Sequence, residues 1–222
     1  MAKLLLKDGI QSLVLCEGAD AKFFLIWLID YYIRQGRANL NSVQVEDFGG
    51  IKQLTNSLGA WKNISGFSRI KSLCVVRDAE TDFSGAEKSV QDSLLRNSFP
   101  VPGHAWEIKQ VKDFRCAYLL FPGLRDGDGN YISGTLEDLC LHILNDAAGE
   151  RKLECIGEFL VSCGDKFSLC YPRLHKTKLH EYLVMHDKYV DAKIGEAARM
   201  GAFDFESKAA KNIIDVLSNL LK

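Results

Sequence analysis

The chain has 222 residues, of which 47% are hydrophobic and 26% charged, and its formal net charge is -1. Those values exclude global disorder and low complexity, and they suit one ordinary domain or one domain with a modest appendage. Near-neutrality excludes a global attraction to nucleic acid or to an anionic membrane.

No apolar run reaches the roughly 20 residues that span a bilayer. The longest, Phe23 to Ile33, is interrupted by Asp30 and reads as a buried helix. The start, MAKLLLKDG, lacks the apolar core and small-residue cleavage site of a signal peptide. Seven cysteines form no C-x-x-C pair, and Cys16 and Cys74 lie in apolar runs as small core residues. A reducing cytosol is the expected location.

In chain order, Ser12 to Cys16 reads as a buried strand and Ala19 to Gln35 as a long helix stopped by Gly36. Ser42 to Phe48 alternates like a strand; a Gly49-Gly50 turn leads to a helix over Ile51 to Leu58. Ile70 to Val76 is a strand, Phe83 to Arg96 a helix with Ser84 as its cap, and Ala117 to Phe121 a strand. This alternation predicts βαβ units and a mostly parallel sheet flanked by helices on both faces. From Gly134 the pattern is helical only: Thr135–Asn145, Glu150–Cys163, Lys176–Asp187, Val190–Met200 and Ser207–Leu221. A boundary near Pro122 therefore separates an α/β core, residues 1–122, from a helical continuation, residues 123–222. That C-terminal extension is expected to pack on the core and contribute to its site.

Ligands of open parallel sheets bind beyond the carboxyl ends of the strands. Two strands end there in acids: LVLC runs into Glu17-Gly18-Ala19-Asp20, and LCVV into Arg77-Asp78-Ala79-Glu80. If these strands are neighbours, Glu17, Asp78 and Glu80 converge. Clustered carboxylates repel unless protonated or bridged by a cation, and oxygen ligands without His or Cys suit Mg2+ or Mn2+. The plainer reading is a set of surface acids capping helix N-termini. Two locally basic stretches sit in the neutral chain. Lys52, Lys62, Arg69, Lys71 and Arg77 fall between Asp47 and Asp78, and Lys166, Arg173, Lys176 and Lys178 between Asp165 and Glu181.

The acid-ended strands resemble the Toprim domain of topoisomerases, primases and OLD-type nucleases. The segments CEGADAKFF, FGGIKQL, LCVVRDAE, GTLEDLCL and AFDFES resemble, in that order, an OLD-like bacterial Toprim branch of uncharacterised function. The resemblance implies that Glu17 is a catalytic proton donor or acceptor that also touches metal, and that Asp78 and Glu80 bind magnesium. Glu80 is a methylene longer than the usual Asp. Glu137 resembles the acid that serves a second metal; Asp138 reads as a surface or capping neighbour. Lys176 matches the lysine that neutralises phosphorane charge, with Lys178 as rival. Relatives carry an acid where Ala21 stands, and Asp20 is expected to point away from the site.

The implied function is divalent-metal-dependent, nuclease-like phosphoryl transfer on DNA or RNA, with nucleic acid as partner, a separate ATPase partner and no membrane. Lys52, Arg77 and Lys178 are the expected phosphate contacts. Lys52, at the start of the FGG-led helix, would hold a phosphodiester between that helix and Lys176. Trp61 and Phe67 are assigned to the core. The alternatives are a catalytically degenerate Toprim scaffold that binds nucleic acid or protein, and a small-molecule phosphohydrolase.

Other signals are weaker. Asp126-Gly127-Asp128-Gly129-Asn130 opens like a calcium loop, but Tyr131 occupies the position that requires glycine. His175, His180, His186, Cys163 and Cys170 fit no zinc spacing. There is no G-x-S-x-G and no Walker loop.

Overall fold

The computed structural model describes residues 4–222; the first three residues of the MAKLLLKDG segment lie outside the described residues. Five strands form one sheet: β1 (Ser12–Cys16), β2 (Val43–Asp47), β3 (Ser72–Asp78), β4 (Ile108–Val111) and β5 (Phe114–Phe121), in the order β2-β1-β3-β5-β4. All neighbours are parallel except β4 and β5. The helices are α1 (Gly18–Arg34), α2 (Leu54–Lys62), α3 (Phe83–Arg96), α4 (Leu136–His142), α5 (Gly149–Phe167), α6 (Leu174–Val184), α7 (Ile194–Arg199) and α8 (Lys208–Leu220). The fold is α/β, with a mostly parallel sheet flanked by helices.

Side chains alternate along the central strands, so each face of the sheet has its own core. Val14, Cys16, Cys74, Val76, Leu119 and Phe121 enter one core with α1 and the C-terminal helices. Leu13, Leu15, Leu73, Val75, Tyr118 and Leu120 enter the other with α2 and α3. Buried on both faces, β1 and β3 read as continuous apolar runs. Phe24 of α1 meets Phe121 edge-on at 6.4 Å and Phe205 at 5.7 Å. That aromatic group ties α1, β5 and the segment before α8 together, each pair adding about 1 kcal/mol beyond its burial. The C-terminal helices share this core, so the change near Pro122 is one of element type within a common interior.

Three local expectations are corrected. β4 has no counterpart in the sequence reading. It joins β5 through Lys112-Asp113, with Lys112 at φ 52, and lacks the Asn-Gly or Asp-Gly signature of such turns. Asp82, rather than Ser84, caps α3 by accepting from the Gly85 amide at 2.9 Å. The segment Ile51–Gln53 is a single 3-10 turn, with α2 beginning only at Leu54.

Candidate functional site

The strand order reverses between β1 and β3: from β1 the chain moves outward to β2, then returns to the other side of β1. Such a switch point leaves a crevice beyond the strand ends, where open α/β sheets bind ligands. Glu17 follows β1 and Asp78 closes β3. Cys16 pairs with Val76, and the Glu17 amide donates to the Val76 carbonyl at 2.9 Å, so Glu17 stands beside Arg77 at the seam.

Gly18 turns the chain into α1 with φ +84, a conformation that glycine adopts without steric cost. Glu17 occupies the N-cap position of α1, yet its side chain does not cap. The Gly18 amide donates instead to Asp47 Oδ1 at 3.0 Å, from the end of β2. Glu17 is thereby free of capping duty and turns toward Arg77: its Oε2 lies 3.6 Å from Nε, is buried and accepts no hydrogen bond. Burial pushes the Glu17 carboxyl up, against the pull of Arg77, and Glu80 adds to the rise.

Asp78 is tied to the C-terminal half of the chain. Its Oδ1 accepts from the Leu136 amide, the first residue of α4, at 2.9 Å. Burial pushes its carboxyl up to about 7; the Leu136 amide opposes this, while Glu137, Glu17 and Glu80 reinforce it. Glu80, exposed, holds a left-handed φ of 54 and donates its amide to the Gly134 carbonyl at 2.8 Å. The four predicted acids thus share one edge closely enough for Glu17, Glu80 and Glu137 each to act on Asp78.

The GTLEDL segment divides its acids by role. Asp138 closes a capping box, accepting from the Thr135 amide at 2.8 Å and its hydroxyl at 3.1 Å. Glu137, 7% exposed, pairs through Oε1 with Lys176 Nζ at 2.9 Å. Burial pushes Glu137 up, but Lys176, the Glu137 amide and the Thr135 hydroxyl outweigh it, and the carboxyl stays below its ordinary range. Burial lowers Lys176, and Glu137 and Asp78 more than reverse this, so the ammonium keeps its charge.

The expected basic contacts separate. Arg77 is 6% exposed, with Nε donating to the Asp78 carbonyl at 3.1 Å and Nη1 without a partner. It is a buried counter-charge beneath the acids, not a surface contact for a strand. Lys178 lies over α5, beside Glu150, Glu154 and Glu158, and is directed away from Lys176's site. Lys52 is exposed on the 3-10 turn, next to Ile51, whose amide bears on the Glu17 carboxyl. One such turn carries too little aligned dipole for the helix-terminus anion site expected there.

Asp20 lies in the field of the same charged groups. It is exposed, yet burial and Glu137 raise its carboxyl while Lys193, His180 and Lys176 lower it. The signal was present: Asp20 lies three residues after Glu17, on the same side of the first turn of α1. Lys193, at the start of α7, carried none. Trp61 is fully buried and Phe67 packs against the same core. The Asp126 carboxyl accepts from the Asp128 and Asn130 amides, closing a polar turn.

Among the described residues no three His, Cys, Asp or Glu side chains form a group that could hold a metal ion by themselves. Magnesium binds through one or two carboxylates, keeping waters and substrate oxygens. Glu17 and Asp78, two carboxyl groups at the switch point with Glu80 beside them, suit that mode.

A family described as "Protein of unknown function (DUF3226)" matches residues 11–222. The chain belongs to that family. The match takes in every strand and helix and all of the acids above. No curated protein and no solved structure matches the chain.

Proposed function

We propose that this chain hydrolyses nucleic-acid phosphodiesters with a divalent cation, in the manner of the Toprim nucleases its acid-ended strands resemble. The observation that carries the reading is the meeting of Glu17 and Asp78 at the switch point, with Glu80 and the Glu137–Lys176 pair beside them. Asp78, Glu17 and Glu80 would hold Mg2+ or Mn2+, with Glu137 beside a second position. When bound, the ion supplies positive charge to a phosphoryl oxygen.

The chain's own groups do the rest. Glu17, whose side chain is only partly buried at the seam, would take a proton from an attacking water. Lys176, oriented by Glu137, sets a fixed ammonium beside the acids, where charge grows on the phosphorane. Arg77 holds Glu17 from below. Lys52 stands at the rim for a flanking phosphate. A cytoplasmic location and a separate ATPase partner belong to the same reading. All seven cysteines are free, as suits a reducing compartment, and among the described residues no helix is long and apolar enough to cross a membrane.

The second reading is a degenerate scaffold that binds nucleic acid or protein without cutting. The Arg77 guanidinium beside Glu17 favours it, because it already balances one of the charges a metal would meet. The deciding experiment incubates purified protein with single-stranded, duplex and RNA substrates in Mg2+ or Mn2+. Cleavage that falls roughly 100-fold in Glu17→Gln and in Asp78→Asn, with folding intact, supports hydrolysis. Binding without cleavage in every arm supports the scaffold.

A further inference from the structure

Beside the acids lies a second feature. The rings of Phe83 and Tyr131 are parallel within 5° at 5.6 Å, and Tyr131 and Trp106 within 15° at 5.9 Å. The Arg125 guanidinium lies 3.9 Å above the Tyr131 ring. These groups, with Glu87 and His104, line a cavity of about 390 Å³.

The wall is built into the acid site's own loops. Phe83 stands three residues beyond Glu80, and its amide donates to Ser133 Oγ at 3.0 Å. Glu80 bridges Gly134, and Arg125 bridges Tyr131. Trp106 is held rigidly. Its φ is +72, its amide donates to the Tyr118 carbonyl at 2.8 Å, and a Cβ on Gly123 would sit 2.3 Å from its ring. A bulky residue in that backbone conformation is strained and persists only where its surroundings impose it. Its indole N–H is buried without an acceptor. Aromatic rings and an exposed arginine lining one cavity are the groups that stack on a nucleobase, and a base inside a duplex has no face free for them.

We propose that the Phe83–Tyr131–Trp106 wall with Arg125 is a stacking subsite for an unpaired nucleobase, so that the substrate is a single strand or a single-stranded end. The inference rests on the nucleic-acid reading above and names its substrate class. The acids Glu87 and Glu107 at the rim of the cavity are acceptors for exocyclic amines; Glu87 is already engaged by the Tyr118 hydroxyl at 3.0 Å and the Ala105 amide at 2.7 Å.

The test measures binding in EDTA, where no cleavage occurs. The full chain is titrated into short fluorescent oligonucleotides: single-stranded DNA, the RNA of the same sequence, and the blunt duplex. The single strands are expected to bind more tightly than the duplex. Tyr131→Ala is expected to weaken single-strand binding roughly tenfold, and Tyr131→Phe, which keeps the ring, to restore it. Arg125→Ala, at an exposed position, repeats the loss without touching the core. Duplex bound as well as single strand, or both alanine variants binding like wild type, overturns the proposal. Cleavage in Mg2+ decides the nuclease reading separately: Tyr131-dependent binding without cleavage sinks hydrolysis and leaves the subsite, and cleavage with Tyr131-independent binding does the reverse.

Discussion

Glu17 Oε2 and Arg77 Nε face each other at 3.6 Å across the seam between β1 and β3. Both groups are largely out of water, so neither is indifferent to the loss of the other. Arg77→Met removes the only cation placed against Glu17 among the described residues and leaves a buried carboxylate beside Glu80. It is expected to cost roughly 3 kcal/mol in urea denaturation, and pairing it with Glu17→Gln recovers part of that. An additive double variant refutes the coupling.

Asp78 gives the metal-free protein a pH dependence. Its folded carboxyl titrates near 7, above the roughly 3.9 of an unfolded Asp. The folded state therefore holds the proton more tightly. The resulting stabilisation is complete below about pH 4 and is lost as pH rises through about 7, on the order of 4 kcal/mol. Asp78→Asn keeps the acceptor for the Leu136 amide and is expected to flatten that decline, making the variant more stable than wild type at neutral pH. Manganese should raise the Tm of wild type more at about pH 8 than at about pH 5, since binding must displace the proton. A rise that survives Asp78→Asn and Glu17→Gln places the ion elsewhere.

The two lysines of α6 are expected to part company. Lys176→Met is predicted to lower cleavage roughly 100-fold and to release Glu137 from its low titration. Lys178→Met, over α5, is predicted to leave cleavage within about twofold of wild type. Equal losses from both substitutions would mean that the lysines act through general charge and not by position.

Glu80 is held in the left-handed region at φ 54. Glu80→Gly relieves that strain and is expected to stabilise the metal-free chain by about 1 kcal/mol, while weakening the manganese-induced rise in Tm. A destabilised variant would show that the Glu80 side chain supports the fold as well as the site.

The amino-acid order by itself determined much of this molecule. The apolar runs at Ser12–Cys16 and Ile70–Val76 mark central strands because both their faces are buried. Glycine after Glu17, and acids at both strand ends, mark the ligand-binding edge. The resemblance also separated Glu137 from Asp138, and the structure gave the reason, a capping box between Thr135 and Asp138. Tertiary structure decided the rest. Arg77 looks like any basic residue until the sheet buries it against Glu17. Asp20 feels the charge of lysines more than 150 positions away. Lys176 and Lys178 are nearly alike along the chain but are driven to different neighbours by the packing of α6 between α4 and α5. Phe83, Trp106 and Tyr131 become one wall only when three loops meet. Periodicity and turn chemistry act between near neighbours and can be read locally. Burial, ion pairing and titration depend on which distant groups share a low-dielectric space, and only the folded chain assembles them.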